Sequence, residues 1–226
     1  NLGFDRFPSI FTHRNRVNNF YSFNGTDVYV MHPLPDHVSI EEVLNTVSNR
    51  IPSHLKTGID VIYVGKFQNM IDREVNAIFE DGAIYITNDQ DDVEDMIDDL
   101  VHEIAHSVEQ EYPDFIFEDG RLFKEFLGKR RRLTSMLVAH GFDVDPIFRS
   151  RPEFNQKIDD FLYKDVGYDL LADLVIGLFP GPYSTTSLRE YFAVGFEEFF
   201  IGDRKYLKEI CPVLYMKLDS LTSLGG

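Results

Sequence analysis

Two histidines four residues apart, in Leu100-Val101-His102-Glu103-Ile104-Ala105-His106-Ser107, constrain this chain more than any other feature. Around them Val93, Met96, Ile97, Leu100, Ile104 and Val108 recur at helical spacing. The stretch therefore reads as an amphipathic helix whose apolar face runs through the histidines. Residues i and i+4 of a helix differ by about 40° in rotation and about 6 Å in rise, so both imidazoles can reach one ion.

H-E-x-x-H on a helix is a zinc-hydrolase signature. Neutral imidazole is a good zinc ligand. Glu103 stands one step round from His102, placed to reach a water on the metal and take its proton. The plain alternative is a core helix with two incidental histidines. A catalytic zinc keeps three protein ligands and one open position, so the pair needs a partner. The short metzincin spacing would place Gly at 109 and His at 112; Glu109 and Tyr112 stand there, which excludes that class. His140, before Gly141, reads as an ordinary histidine at a helix C-terminus. Glu190 is the better candidate, on a helix opposite the first. Ser187 and Glu190 also spell S-x-x-E, an ordinary capping box, so the local pattern serves both readings.

The 226 residues suffice for one large domain or two lobes sharing a cleft. At 43% hydrophobic and 27% charged they support a sizeable core and argue against disorder. A net charge of −16 repels phosphate backbones, so no nucleic-acid partner is expected. The run Lys129-Arg130-Arg131-Arg132 is the local exception and reads as a solvated helix face. A single cysteine, Cys211, allows neither an intramolecular disulfide nor a thiolate metal site, and fits a reducing compartment. No apolar run approaches 18 residues, so no membrane insertion is expected. The chain begins at Asn1 with neither Met nor a signal-peptide pattern. It reads as a segment of something longer or as a chain without its leader, and secreted and host-cytoplasmic settings both fit.

Along the chain, Asn1 to Asn18 reads as irregular. Phe20–Phe23 and Asp27–Met31 flank Asn24-Gly25, a hairpin signal; 76–80 and 83–87 flank Asp81-Gly82, a second one. One strand of that second hairpin is expected at a sheet edge. Ser39 and Glu42 open a helix that Pro52 closes, and 59–64 reads as a strand. An acid run over 88–99 suits the first turns of the histidine helix. Helices are expected over 122–140, 154–163, 169–178, 187–201 and 205–218, the last interrupted near Pro212. The fold class is thus α+β: a small mixed N-terminal sheet with the histidine helix, and a helical C-terminal lobe. The lobes divide at about 112/113 within one domain spanning 1–226.

Tyr183-Ser184-Thr185-Thr186-Ser187-Leu188-Arg189-Glu190-Tyr191-Phe192-Ala193 resembles the second zinc motif of the anthrax-lethal-factor-like zincins, a group that includes the secreted Pro-Pro endopeptidases. The resemblance covers roughly residues 76 to 200 in organisation and is specific at the two motifs. It implies a zincin-like fold and one Zn2+ held by His102, His106 and Glu190. It also implies that Tyr183, seven residues upstream of Glu190, points at the metal and stabilises the oxyanion. Family members often carry an acid one turn after the third ligand; here Val194 stands there, with Glu197 and Glu198 nearby as substitutes. The implied function is a zinc-dependent endopeptidase acting on a protein or peptide substrate, with Glu103 as general base. The substrate would lie along the 76–87 hairpin, under a Phe179-Pro180-Gly181-Pro182 loop. The alternatives are a degenerate zincin serving as a binding module of a larger toxin or phage protein, or a structural metal domain in which His140 or Asp173 closes the fourth position.

Overall fold

The computed structural model describes residues 19–225; the irregular segment expected over Asn1–Asn18 lies outside them. Phe20–Phe23 (β1) and Thr26–Val30 (β2) pair antiparallel. Asn24 and Gly25 between them sit at φ 53° and 91°, the left-handed backbone that a two-residue hairpin turn demands. Ile40–Arg50 (α1) follows, capped by the Ser39 hydroxyl, which accepts from the Glu42 amide at 3.3 Å. Val61–Gly65 (β3) leads into a short helix, Gln68–Arg73 (α2). Nothing in the sequence announces α2, which is barely two turns long and has no side-chain cap.

The second hairpin is Ala77–Glu80 (β4) and Ala83–Thr87 (β5). Gly82 sits at φ 79°, the left-handed backbone that favours glycine, and packs against the Asp60 carboxylate. The five strands form one mixed sheet in the order β1-β2-β3-β5-β4, parallel through the middle and antiparallel at both sides. β4 is therefore an edge strand, as the hairpin pattern suggested. Period-2 alternation gives the sheet two characters. Val28, Ile62 and Ile84 lie in register and are buried. Tyr29, Tyr63 and Tyr85 lie in register one residue on, where their rings stack at 5.7 and 5.4 Å.

Val93–Glu111 (α3) carries both histidines and packs against α1, β4 and β5. The Asp92 carboxylate caps it, accepting from the Asp95 amide at 2.8 Å. Acidic side chains in its first turn complement the helix dipole. Pro113–Phe117 (α4), Arg121–Ala139 (α5) and Gln156–Asp160 (α6) follow. The helix expected over 154–163 starts two residues late and runs on as a wide π turn over Phe161–Val166. Tyr168–Val175 (α7) precedes the Gly/Pro loop, and Leu188–Phe200 (α8) follows it. The chain then breaks at Cys211 into Arg204–Ile210 (α9) and Pro212–Thr222 (α10), as the interruption near Pro212 implied. A Cβ on Gly195 would meet Leu214 at 2.2 Å, so α8 and α10 touch closely through that glycine. One hydrophobic cluster runs from Phe23 to Leu221. Among the described residues no helix is long and apolar enough to cross a membrane.

The basic run requires a correction. Arg131 and Arg132 are exposed, but Lys129 is buried and Arg130 is 0% exposed. The Arg130 guanidinium lies between the rings of Phe126 and Phe148, 4.6 Å from each centroid. It donates to the carbonyls of Phe148, Arg151, Thr185 and Thr186 at 2.6–2.9 Å. Lys129 donates to Leu178 and Ile210 carbonyls. Buried cations need such acceptors, and here loop carbonyls supply them. The run is half surface and half scaffold.

Candidate metal centre

α3 and α8 pack side by side. On α3 the His102 and His106 rings stand 4.9 Å apart with planes at 79°. On α8 the Ser187 hydroxyl accepts from the Glu190 amide at 3.1 Å, so the N-cap half of the box is formed. The Glu190 side chain nevertheless turns to the histidines: Oε2 is 3.0 Å from His102 Nε2 and 3.7 Å from His106 Nε2. Glu190 thus serves twice, its backbone amide donating to the Ser187 cap and its carboxylate facing the cleft. Donor atoms of His102, His106 and Glu190 lie within 4.8 Å of one another, a group that could hold a metal ion. His140 is elsewhere, its Nδ1 paired with the Met136 carbonyl at 2.8 Å. Among the described residues neither it nor Asp173 joins the donor group.

Each imidazole is held from behind by a carboxylate. His102 Nδ1 pairs with Glu197 Oε1, and His106 Nδ1 with Glu109 Oε2 at 2.8 Å. Of the two substitutes considered for Val194, Glu197 takes the role, while Glu198 accepts from the Asp203 amide at 2.9 Å. Glu109 was missed, although three residues after His106 is the same helix face. Its Oε2 also accepts from Arg189 Nε at 3.2 Å. Its Oε1 is buried without a hydrogen-bond partner among the described residues.

These bonds fit a cation. An imidazole donating from Nδ1 presents a bare Nε2, so two such nitrogens and a carboxylate make an all-acceptor set. Without an ion, Nε2 can bond Glu190 only by carrying a second proton. Burial opposes that proton on His102, but hydrogen bonds to Glu190 and Glu197 outweigh it and push the pKa up to about 11. Burial likewise opposes it on His106, where Glu109 and Glu190 push the pKa up to about 9. Burial works against the Glu190 anion, yet the two imidazoles bring its pKa down to about 2. The pocket demands positive charge.

Glu103 is 6% exposed. Burial raises its pKa above the ordinary carboxylate value, against the pull of His106, His102 and a hydrogen bond from the Phe79 backbone. Tyr183 lies in a one-turn helix over Tyr183–Thr185, its ring centroid 6.0 Å from that of His102. It is 44% exposed. Burial of part of the ring, then Glu190, Asp159 and Glu103, raise its pKa, so the phenol stays protonated. The loop before it is anchored: Phe179 is 1% exposed and packs on Phe126 and Tyr191. Arg130 holds the carbonyls of Thr185 and Thr186, fixing the turn between Tyr183 and Glu190. The sequence-predicted residues of α3 and of the 183–190 stretch thus meet at one place. No family model, no curated protein and no solved structure matches the chain.

Proposed function

We propose that this chain is a zinc-dependent endopeptidase of the zincin type, resembling the anthrax-lethal-factor-like group. The observation that carries the reading is a buried carboxylate, Glu103, next to His102 on the helix that supplies two members of a three-donor group. Two imidazoles and a carboxylate are a zinc donor set, and three protein donors are the number a catalytic zinc takes. Bound there, the ion would supply Lewis-acid chemistry, polarising a carbonyl and acidifying water toward a pKa of about 7.

The remaining work belongs to the chain. Glu103, its pKa raised by burial, takes a proton from the attacking water and hands it to the leaving amine. Tyr183 keeps its own proton and donates a hydrogen bond to the carbonyl oxygen as negative charge gathers there. Glu197 and Glu109 hold the imidazoles in the tautomer and orientation that leave Nε2 bare. The Phe79 backbone of β4 lies close enough to Glu103 to lower its pKa, and β4 packs against α3. The outer edge of β4 therefore runs past the base, and an extended peptide can add to it as a further strand. A closed structural site would need a fourth protein donor, and a pure binding module has no use for a base beside the ion.

Elemental analysis should find about one zinc per chain, falling in His102→Ala and Glu190→Ala. Glu103→Gln should keep the metal while peptide cleavage drops by at least about a hundredfold. A zinc-loaded Glu103→Gln protein that cleaves peptides at the wild-type rate would sink the assignment.

A further inference from the structure

Beside the donor group, on the same face of α3 and one turn further on, lies a cavity of about 320 Å³ lined by His106, Glu109, Gln110, Phe117 and Arg189. That volume stands at the low end for small-molecule sites, room for one side chain rather than a cofactor. Phe117 gives it an apolar wall. Arg189 gives it charge, and among the described residues it is the one Arg or Lys in the ion pairs of this cluster. Its side chain keeps 65% of its surface exposed. Nε is committed to Glu109 at 3.2 Å, and one terminal nitrogen lies 3.4 Å from His106 Nδ1, already taken by Glu109. The terminal edge of the guanidinium thus has N–H groups to spare. A planar fork with spare donors matches a carboxylate in two-point geometry.

We infer that this cavity is a specificity subsite in which Arg189 receives a carboxylate of the substrate. The carboxylate belongs to an acidic side chain within a few residues of the cleaved bond, or to the C-terminus of the peptide. The net charge of −16 opposes an anionic substrate at long range. Screening confines that repulsion to about 8 Å at physiological salt, so the local contact decides. The inference rests on the peptidase reading for its substrate class, but its test does not depend on turnover alone.

Take a peptide that the zinc-loaded protein cleaves, and place Glu or Gln at each of the two positions on either side of the cut, with free or amidated C-termini. Either one Glu peptide should exceed its Gln counterpart, or the free-acid peptides their amides, about tenfold in kcat/KM, mostly through KM. Arg189→Gln should erase that ratio, and Arg189→Glu should shift the preference to Lys. A Glu-over-Gln preference identifies the side chain; a preference for the free acid over the amide, with Glu and Gln equal, identifies the C-terminus. Calorimetry on zinc-loaded Glu103→Gln protein should show the same ratio in affinity without any chemistry. Losses in Arg189→Gln that are equal on Glu and Gln peptides and equal on free-acid and amidated ones would overturn the inference, leaving Arg189 to act only through Glu109. A wild-type preference for Lys would overturn it too. Carboxylate-dependent binding without cleavage by the wild type would instead remove the peptidase reading and leave the subsite standing.

Discussion

His102 and His106 face the cleft with Nε2 because Nδ1 is taken, in one case by Glu197 on α8 and in the other by Glu109 on α3. An acid one turn after Glu190 would have been the obvious partner; the backbone puts Glu197 there instead, a further turn along. Such partners fix ring orientation and raise ligand basicity, and losing one typically weakens metal binding about 10–100-fold. Glu197→Gln should therefore loosen zinc by that factor in competition with a chromophoric chelator. Glu198→Gln, one residue on, should not, because Glu198 serves the Asp203 amide. The histidines and Glu103 were legible because i, i+4 spacing on an apolar helix is a local pattern. Which glutamate backs which imidazole was not, since His102 and Glu197 are 95 residues apart and only the packing of α3 on α8 joins them.

At the scale of elements, the hairpins and capped helices were readable for the same local reason: Asn-Gly, Asp-Gly and S-x-x-E carry their geometry within four residues. Arg130 shows where that stops. A run of four basic residues looks like a solvated face, yet Arg130 answers to carbonyls 18 to 56 residues away. It ties α5 to the segment before α6 and to the turn that carries Tyr183 into α8. Replacing it with Met leaves four carbonyl acceptors without their donor, and a buried acceptor left unsatisfied costs about 1–3 kcal/mol. Arg130→Met should lower the denaturant midpoint accordingly and weaken zinc binding, because the start of α8 loses its tether. Ser187→Ala removes only the cap on Glu190 and should cost about 1 kcal/mol. A larger fall for Ser187→Ala than for Arg130→Met would mean the turn is held by its cap and not by the guanidinium.

For the molecule as a whole, stability and occupancy are linked through the same two rings. In the ion-free fold both imidazoles have pKa values above the ordinary 6.5, about 9 for His106 and about 11 for His102. Groups raised in this way stabilise the fold fully below the unfolded pKa and lose that contribution as pH climbs through the folded one. The ion-free protein should therefore weaken as pH rises from about 6.5 toward 9, and further above it. Lys56 works the other way. Burial lowers its pKa to about 8, so the cost of its buried ammonium is relieved between about 8 and 10.5. Lys56 lies away from the cleft, bonded to the Ser48 and Ile51 carbonyls, and contributes equally with and without the ion. With zinc in place the rings are already deprotonated in the fold, so their contribution is flat above pH 6.5, and an ion at a thousand times its Kd adds about 4 kcal/mol. The gap in melting temperature between zinc-loaded and chelator-treated protein should then widen from pH 6.5 to 9, at about 2–4 °C for each 1 kcal/mol in a chain of this length. Scanning calorimetry across that range reads the gap directly. A gap that stays constant would show that the ion-free rings hold no extra proton, and that the carboxylates behind them do not create the demand for charge that a cation meets.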